Sequence, residues 1–281
     1  MAGYPERFRG PPGNVNGGVA VGSLACPALD HAAAAGAAYP VILRITARLR
    51  SGVPVEEALD VIASGPTDAI AVSVKRHDAE LIHGTVEVAA RDTAPLPGDV
   101  IAEPPSERAA MLAEMAAIGV PDRPPFWEET GEHPIAGCFS CGPENASGLR
   151  VFPRYVSDGV VCAPWAPEPS FDDGGGVLSA MVMTAALDCS SGICMPLDQQ
   201  RDLLKDDAFF LLGTLDVRFL RVAPLSPPGG YRVVARALDR DGRKFYGLSG
   251  LFDEGGTAYA IAEATWIVAP ITRAQAWGGS G

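Results

Sequence analysis

One acidic residue stands out inside the apolar stretch Phe171–Cys194 (FDDGGGVLSAMVMTAALDCSSGIC): Asp188. It follows a run of small and apolar residues that Gly174, Gly175 and Gly176 lead into, and that run predicts a helix of three to four turns. A helix that is apolar on every face is a buried one. A carboxylate near its C-terminal end meets a low dielectric and the negative end of the helix dipole, and both raise its pKa into the range of a general base. Helical spacing puts Val177, Met181, Thr184 and Asp188 on one face, so Thr184 is placed to hydrogen-bond to the carboxylate. The competing reading makes Asp188 a turn residue bound to the backbone of Ser190 to Gly192. Asp172 or Asp173 is expected to cap the start of the helix.

Other polar residues carry weaker signals. Asn16 precedes Gly17-Gly18 and a short apolar run, so it caps a second, smaller helix or donates to a ligand. Asn145, before Gly148, suits an Asx-turn. Cys138-Phe-Ser-Cys141 has the spacing of half a zinc site, but no second pair matches it and only His133 lies near; buried or turn thiols are expected, with no metal. Cys189 as a nucleophile needs a basic partner, and no histidine is close in sequence.

These residues need elements to hold them. The first 13 residues read as an extended arm. Pro27 is expected to end or kink the helix begun at Gly17, with Asp30–Ala38 as a further short helix. Strands are predicted at Val41–Leu49, Val55–Ala63, Ala69–Lys75 and Leu81–Val88, then at Leu149–Val156 and Val160–Trp165. Four more follow the central helix: Phe209–Leu220, Tyr231–Leu238, Lys244–Phe252 and Ala258–Val268. The proline-rich segment 92–134, with a helix Glu107–Ile118 capped by Ser106, separates an N-terminal half (1–91) from a C-terminal half (135–281).

A chain of 281 residues with 47% hydrophobic and 20% charged residues can bury a full core. Its net charge of −12 argues against counterion-release binding to nucleic acid. No apolar run approaches a membrane span, and MAGYPERFRG has no apolar signal core; a soluble, cytoplasmic protein without membrane or nucleic-acid partners is expected.

The two halves repeat an order of elements. Gly17-Gly18 matches Gly175-Gly176, Val41–Pro54 matches Leu212–Pro224, and Val72–Val88 matches Ser249–Ile267, while the first copy lacks the two strands before the helix. A Gly-Gly-led buried helix wrapped by an antiparallel sheet resembles the hotdog fold of acyl-CoA thioesterases. Two copies resemble a double hotdog, an α+β fold whose halves form a pseudo-dimer. Cys138–Leu149 (CFSCGPENASGL) is similar to the CFxCGxxNPxGL segment of thioesterase-superfamily proteins of the phenylacetate-pathway type. The resemblance covers roughly residues 8–90 and 137–269.

This resemblance implies hydrolysis of an acyl-CoA or acyl-carrier-protein thioester between the halves, with coenzyme A as part of the substrate and no separate cofactor. It also implies assembly into a homo-oligomer. Helix-start N–H groups at Gly17, Gly18, Gly175, Gly176 and Val177 would polarise the thioester carbonyl, Asn16 would donate to it and Asn145 would reach the interface; the family's own acid assignment does not transfer, and Asp188 with Thr184 is the base candidate on the helix spacing alone. Arg218, Arg221, Arg243 and Lys244 are candidates for coenzyme A phosphates. The family's His-Gly-Gly is changed: Gly174 and Asn16 stand at the histidine position, and the usual acid position falls at Met183 and Ala25. The alternative is a non-catalytic acyl-thioester binding protein. A dehydratase-type lyase fits worst, because His31, His77, His83 and His133 all lie away from both helix starts.

Overall fold

Alternation of buried and open positions, such as Ile70, Val72 and Val74 inward along Ile70–Arg76, marks strands with one face on a core. In the computed structural model, which describes residues 3–206 and 208–272, ten such strands form one antiparallel sheet. The N-terminal half supplies β1 (Val41–Leu49), β2 (Asp60–Ser64), β3 (Ile70–Arg76) and β4 (Ala79–Ala89). The C-terminal half supplies β5 (Arg154–Ser157), β6 (Val160–Trp165), β7 (Ala208–Phe219), β8 (Tyr231–Asp241), β9 (Lys244–Asp253) and β10 (Ala258–Thr272).

Their order is β2-β3-β4-β1-β7-β10-β9-β8-β6-β5, so each half repeats the other in reverse about a β1–β7 junction. At that junction Thr46 faces Asp216, and Arg44 grips Asp216 through two hydrogen bonds, its Nε at 2.8 Å from Oδ1. The extra strands β5 and β6 precede the second helix, as the repeat predicts.

The sheet wraps helices α1 (Gly17–Gly22) and α2 (Ala25–Ala34) from the first half and α5 (Ala180–Ile193) from the second. Helices α1 and α5 lie against each other because the contact residues are small. A Cβ on Gly18 would fall 2.7 Å from Ala185 Cα, and one on Gly22 would fall 2.6 Å from Met181 Cα. The linker carries α3 (Ala109–Ala116) and α4 (Phe126–Thr130), and α6 (Leu197–Lys205) follows α5. Leu112 and Met115 of α3 close a second small core on the outer sheet face with Val234, Leu248 and Ile261. Arg108–Glu263 and Arg236–Glu114 ion pairs, both at 2.8 Å, hold α3 there.

Several boundaries differ from expectation. Pro27 neither ends nor kinks a helix from within; it sits in the first turn of α2, where its missing N–H is harmless, and the break falls before it at Ser23-Leu24. Residues 55–59 are not strand, since Glu56 is left-handed (φ 55°). Leu149–Pro153 is not strand either: the Leu149 and Val151 N–H groups bond to Phe139 and Ser140 carbonyls instead. Ser106 lies within a short 3-10 turn and makes no cap. Helices α4 and α6 were not foreseen. Among the described residues, no single helix is long and apolar enough to cross a membrane.

Candidate active site

The register of the two halves is fixed by matching loop contacts. Val15 N–H donates to Val53 O (2.8 Å) and Val55 N–H to Gly13 O (3.2 Å); in the other half Leu178 N–H donates to Ala223 O (2.9 Å) and Leu225 N–H to Gly176 O (2.7 Å). The bridges Arg9 with Val15 and Asp172 with Leu178 correspond in the same way. Gly176 therefore matches Gly13, not Gly18, and the expected pairing of Gly17-Gly18 with Gly175-Gly176 is corrected. The caps show it again: Asn16 Oδ1 accepts from Val19 N–H at 3.0 Å, and Ser179 Oγ from Val182 N–H at 3.2 Å. Gly17 and Gly18 match Ala180 and Met181, and Ala25 matches Asp188.

This register moves the acid. Helix α5 starts at Ala180 rather than at the glycines, which form a loop with φ of 101°, 75° and 76° closed by Asp172 Oδ1 on the Gly174, Gly176 and Val177 N–H groups. Asp188 consequently lies mid-helix, a little over two turns from its cap, where the resemblance places the acid. It is neither near the C-terminal dipole nor a turn residue.

The carboxylate is 1% exposed. Its Oδ2 accepts from Gly18 N–H (2.8 Å) and from Asn16 Nδ2 (2.9 Å), while Oδ1 is buried without a hydrogen-bond partner. Burial pushes its pKa up to about 7 against the pull of the Gly18 N–H and Asn16 donors, with the nearby Cys138 adding to the rise. A carboxylate so placed exchanges a proton near neutrality.

Asn16, Gly17, Cys138, Asp188 and Cys189 line a cavity of about 500 Å³, together with Leu212, Trp266, Ile267 and residues 50–53. A smaller apolar cavity of about 60 Å³ shares Ile135, Cys138, Cys189, Phe210 and Trp266 with it and adds Phe126, Ile193 and Leu203. One half thus supplies Asn16-Gly17-Gly18 and the other supplies Asp188.

The remaining sequence candidates lie elsewhere. Thr184 donates to Ala180 O at 2.7 Å, a bond within its own helix, rather than to Asp188. Gly175, Gly176 and Val177 are outside both cavities. Asn145 is a brace: Nδ2 donates to the Arg7 and Gly137 carbonyls, and Oδ1 accepts from Ser147 N–H in an Asx-turn. Arg218, Arg221, Arg243 and Lys244 do not line the cavity; Arg50, which sequence reasoning passed over, does. Its place in the Arg50-Ser-Gly-Val-Pro54 segment of the repeat was the available signal.

No protein-family model and no curated protein matches this chain. Solved structures do. The tesB protein of Mycobacterium avium subsp. paratuberculosis superposes with a TM-score of 0.56 at 13% identity, over 91% of this chain and 88% of that one. A conserved protein with hot dog fold from Alicyclobacillus acidocaldarius gives 0.57 at 15% identity, over 92% and 89%. The 12:0-ACP thioesterase of Umbellularia californica gives 0.55 at 11% identity, over 95% and 92%. At these identities the likeness is one of fold, and the fold is a double hotdog.

Proposed function

We propose that the chain hydrolyses acyl thioesters, of coenzyme A or an acyl carrier protein, with Asp188 as general base. The observation that carries the reading is a buried carboxylate with one unpartnered oxygen, set in a cavity across the interface from the Gly17-Gly18 helix start. Water entering the cavity beside Asp188 attacks the carbonyl carbon and gives its proton to the carboxylate. The carbonyl oxygen develops charge against Gly17 N–H, which has no acceptor within its own helix. Collapse of the tetrahedral intermediate breaks the C–S bond, and the proton returns to the leaving thiolate. Apolar walls at Phe210, Trp266 and Ile193 suit the acyl chain, and Arg50, half exposed and paired with Glu80, suits a phosphate. Cytoplasmic location and assembly of double units belong to the same proposal. The superposed tesB and 12:0-ACP thioesterase structures support the substrate class.

A second reading, binding without turnover, is favoured by one observation: Gly18 N–H and Asn16 Nδ2 are already engaged by Asp188 Oδ2. Thiol release from a panel of acyl-CoAs, acetyl to long-chain and aromatic, separates the two. Turnover that Asp188→Asn reduces by about 10²- to 10⁴-fold is expected. Thermal stabilisation by an acyl-CoA without turnover would favour binding, and turnover indifferent to Asp188→Asn would remove Asp188 as the base.

A further inference from the structure

The wall beside Asp188 holds a feature that hydrolysis does not use. Cys138, Cys141 and Cys189 converge from two distant parts of the chain, their thiol sulfurs all within 4.8 Å of one another. All three are free and buried. Cys138 Sγ lies 3.6 Å from Cys189 Sγ, close to the edge of about 3.8 Å that two thiolates at 2.3 Å from a tetrahedral ion define.

The turn around them is built to present sulfur. Gly142 N–H closes it on Cys138 O at 2.9 Å, and a Cβ on Gly142 would fall 2.3 Å from Cys138 N, so only glycine fits there. Asn16 Nδ2 approaches Cys138 Sγ at 3.5 Å and Cys189 Sγ at 3.7 Å. Donors aimed at sulfur are what orient and stabilise thiolate ligands from outside the coordination sphere. His133 is not available as a fourth ligand: its Nδ1 accepts from Ile135 N–H at 3.0 Å, and its Nε2 faces Cys141 O at 3.0 Å.

We propose that Cys138, Cys141 and Cys189 form a three-thiolate site for a divalent thiophilic metal ion such as Zn²⁺. Cys138 and Cys189 line the cavity, so the fourth position opens toward it. Binding joins the ion to three sulfurs and releases the remaining thiol protons to water. The expected absence of a metal is thus revised to a proposed site. This inference stands apart from the hydrolysis reading.

The test is titration of the reduced full-length chain with Co²⁺ as a spectroscopic probe and then with Zn²⁺, alongside metal analysis of the protein as purified. One equivalent per chain is expected, with sulfur-to-cobalt charge-transfer absorption that Zn²⁺ bleaches. Cys141→Ser and Cys189→Ser should each weaken binding by more than about 100-fold, beyond what outer partners contribute, while Cys26→Ser and Cys162→Ser leave it unchanged. No charge-transfer band in the unmodified chain overturns the proposal, and that measurement needs no variant to fold. So does binding indifferent to Cys141→Ser and Cys189→Ser, or a purified chain two hydrogens lighter from a Cys138–Cys189 disulfide that, once reduced, takes up no metal.

Discussion

The two helix starts, Asn16 to Ala25 and Ser179 to Asp188, have the same spacing and the same capping bond, yet only one interface between them is equipped. Across from Asn16-Gly17-Gly18 stands Asp188. Across from Ser179-Ala180-Met181, the equivalent position holds Ala25, which is buried without polar function. The repeat makes two geometrically related places, and only one of them holds a carboxylate. Glycine follows the same asymmetry: Gly18 lets its backbone N–H reach Asp188 Oδ2 at 2.8 Å, whereas its counterpart in the repeat is Met181.

This comparison can be broken in order of expected effect. Asn16→Ala removes a donor to the buried carboxylate, and hydrogen bonds to charged groups are worth about 1.5–3 kcal/mol. Roughly 10- to 100-fold of thioester hydrolysis should go with it, together with about 1 kcal/mol of stability from the lost cap. Ser179→Ala, at the matching cap, should cost the same ~1 kcal/mol with hydrolysis unchanged; equal loss of activity in both would mean that both interfaces work.

Gly18→Ala puts a Cβ 2.6 Å from Asp188 Cβ. Overpacking at such a contact costs about 1–3 kcal/mol, and a fall in the unfolding midpoint accompanied by weaker turnover is expected. By contrast, Gly175→Ala, left-handed but facing open space, should cost only about 1 kcal/mol through its backbone and leave turnover intact.

The pH dependence sharpens the same contrast. Asp188 must be ionised to act as base, so kcat/KM should rise through about pH 7, and Asp188→Asn should abolish the rise. Stability runs the other way. A carboxyl whose folded pKa is raised from 3.8 to about 7 stabilises the fold most fully below its unfolded pKa, and loses that contribution as pH climbs through the folded value. Denaturant midpoints of the native chain relative to Asp188→Asn should therefore be higher at pH 5 than at pH 8. A pH-independent difference would put the carboxyl in water rather than in the core.

Much of this could be read from residue order. The strand runs, the repeat about Pro54 and Pro224, the missing strand pair and the singular position of Asp188 are all carried by hydrophobic pattern and turn residues. The start of α5 was misread because Gly174–Gly176 imitate the Gly17-Gly18 helix opening. The true cap, Ser179, is a short polar residue four positions further into the apolar run, and only the bonds to Ala223 and Gly176 reveal the offset. Thr184 was misjudged for a related reason: helical spacing gives a shared face, but a threonine hydroxyl is satisfied first by the carbonyl one turn back. The third thiol of the cysteine cluster was invisible, since its partners lie far away in sequence and meet only when α5 packs beneath the Cys138 turn.

The β1–β7 junction also governs how this protein can be divided. Although a long proline-rich linker joins the halves, each closes the other's sheet where residues 44–48 of β1 pair with residues 214–218 of β7, and severing them would bare a hydrogen-bonding edge on each half where now the outer edges are the short strands β2 and β5. Separately expressed halves should therefore seek a replacement strand, from each other or from a second copy of themselves. Cleaving the linker in the assembled protein should leave the pair associated.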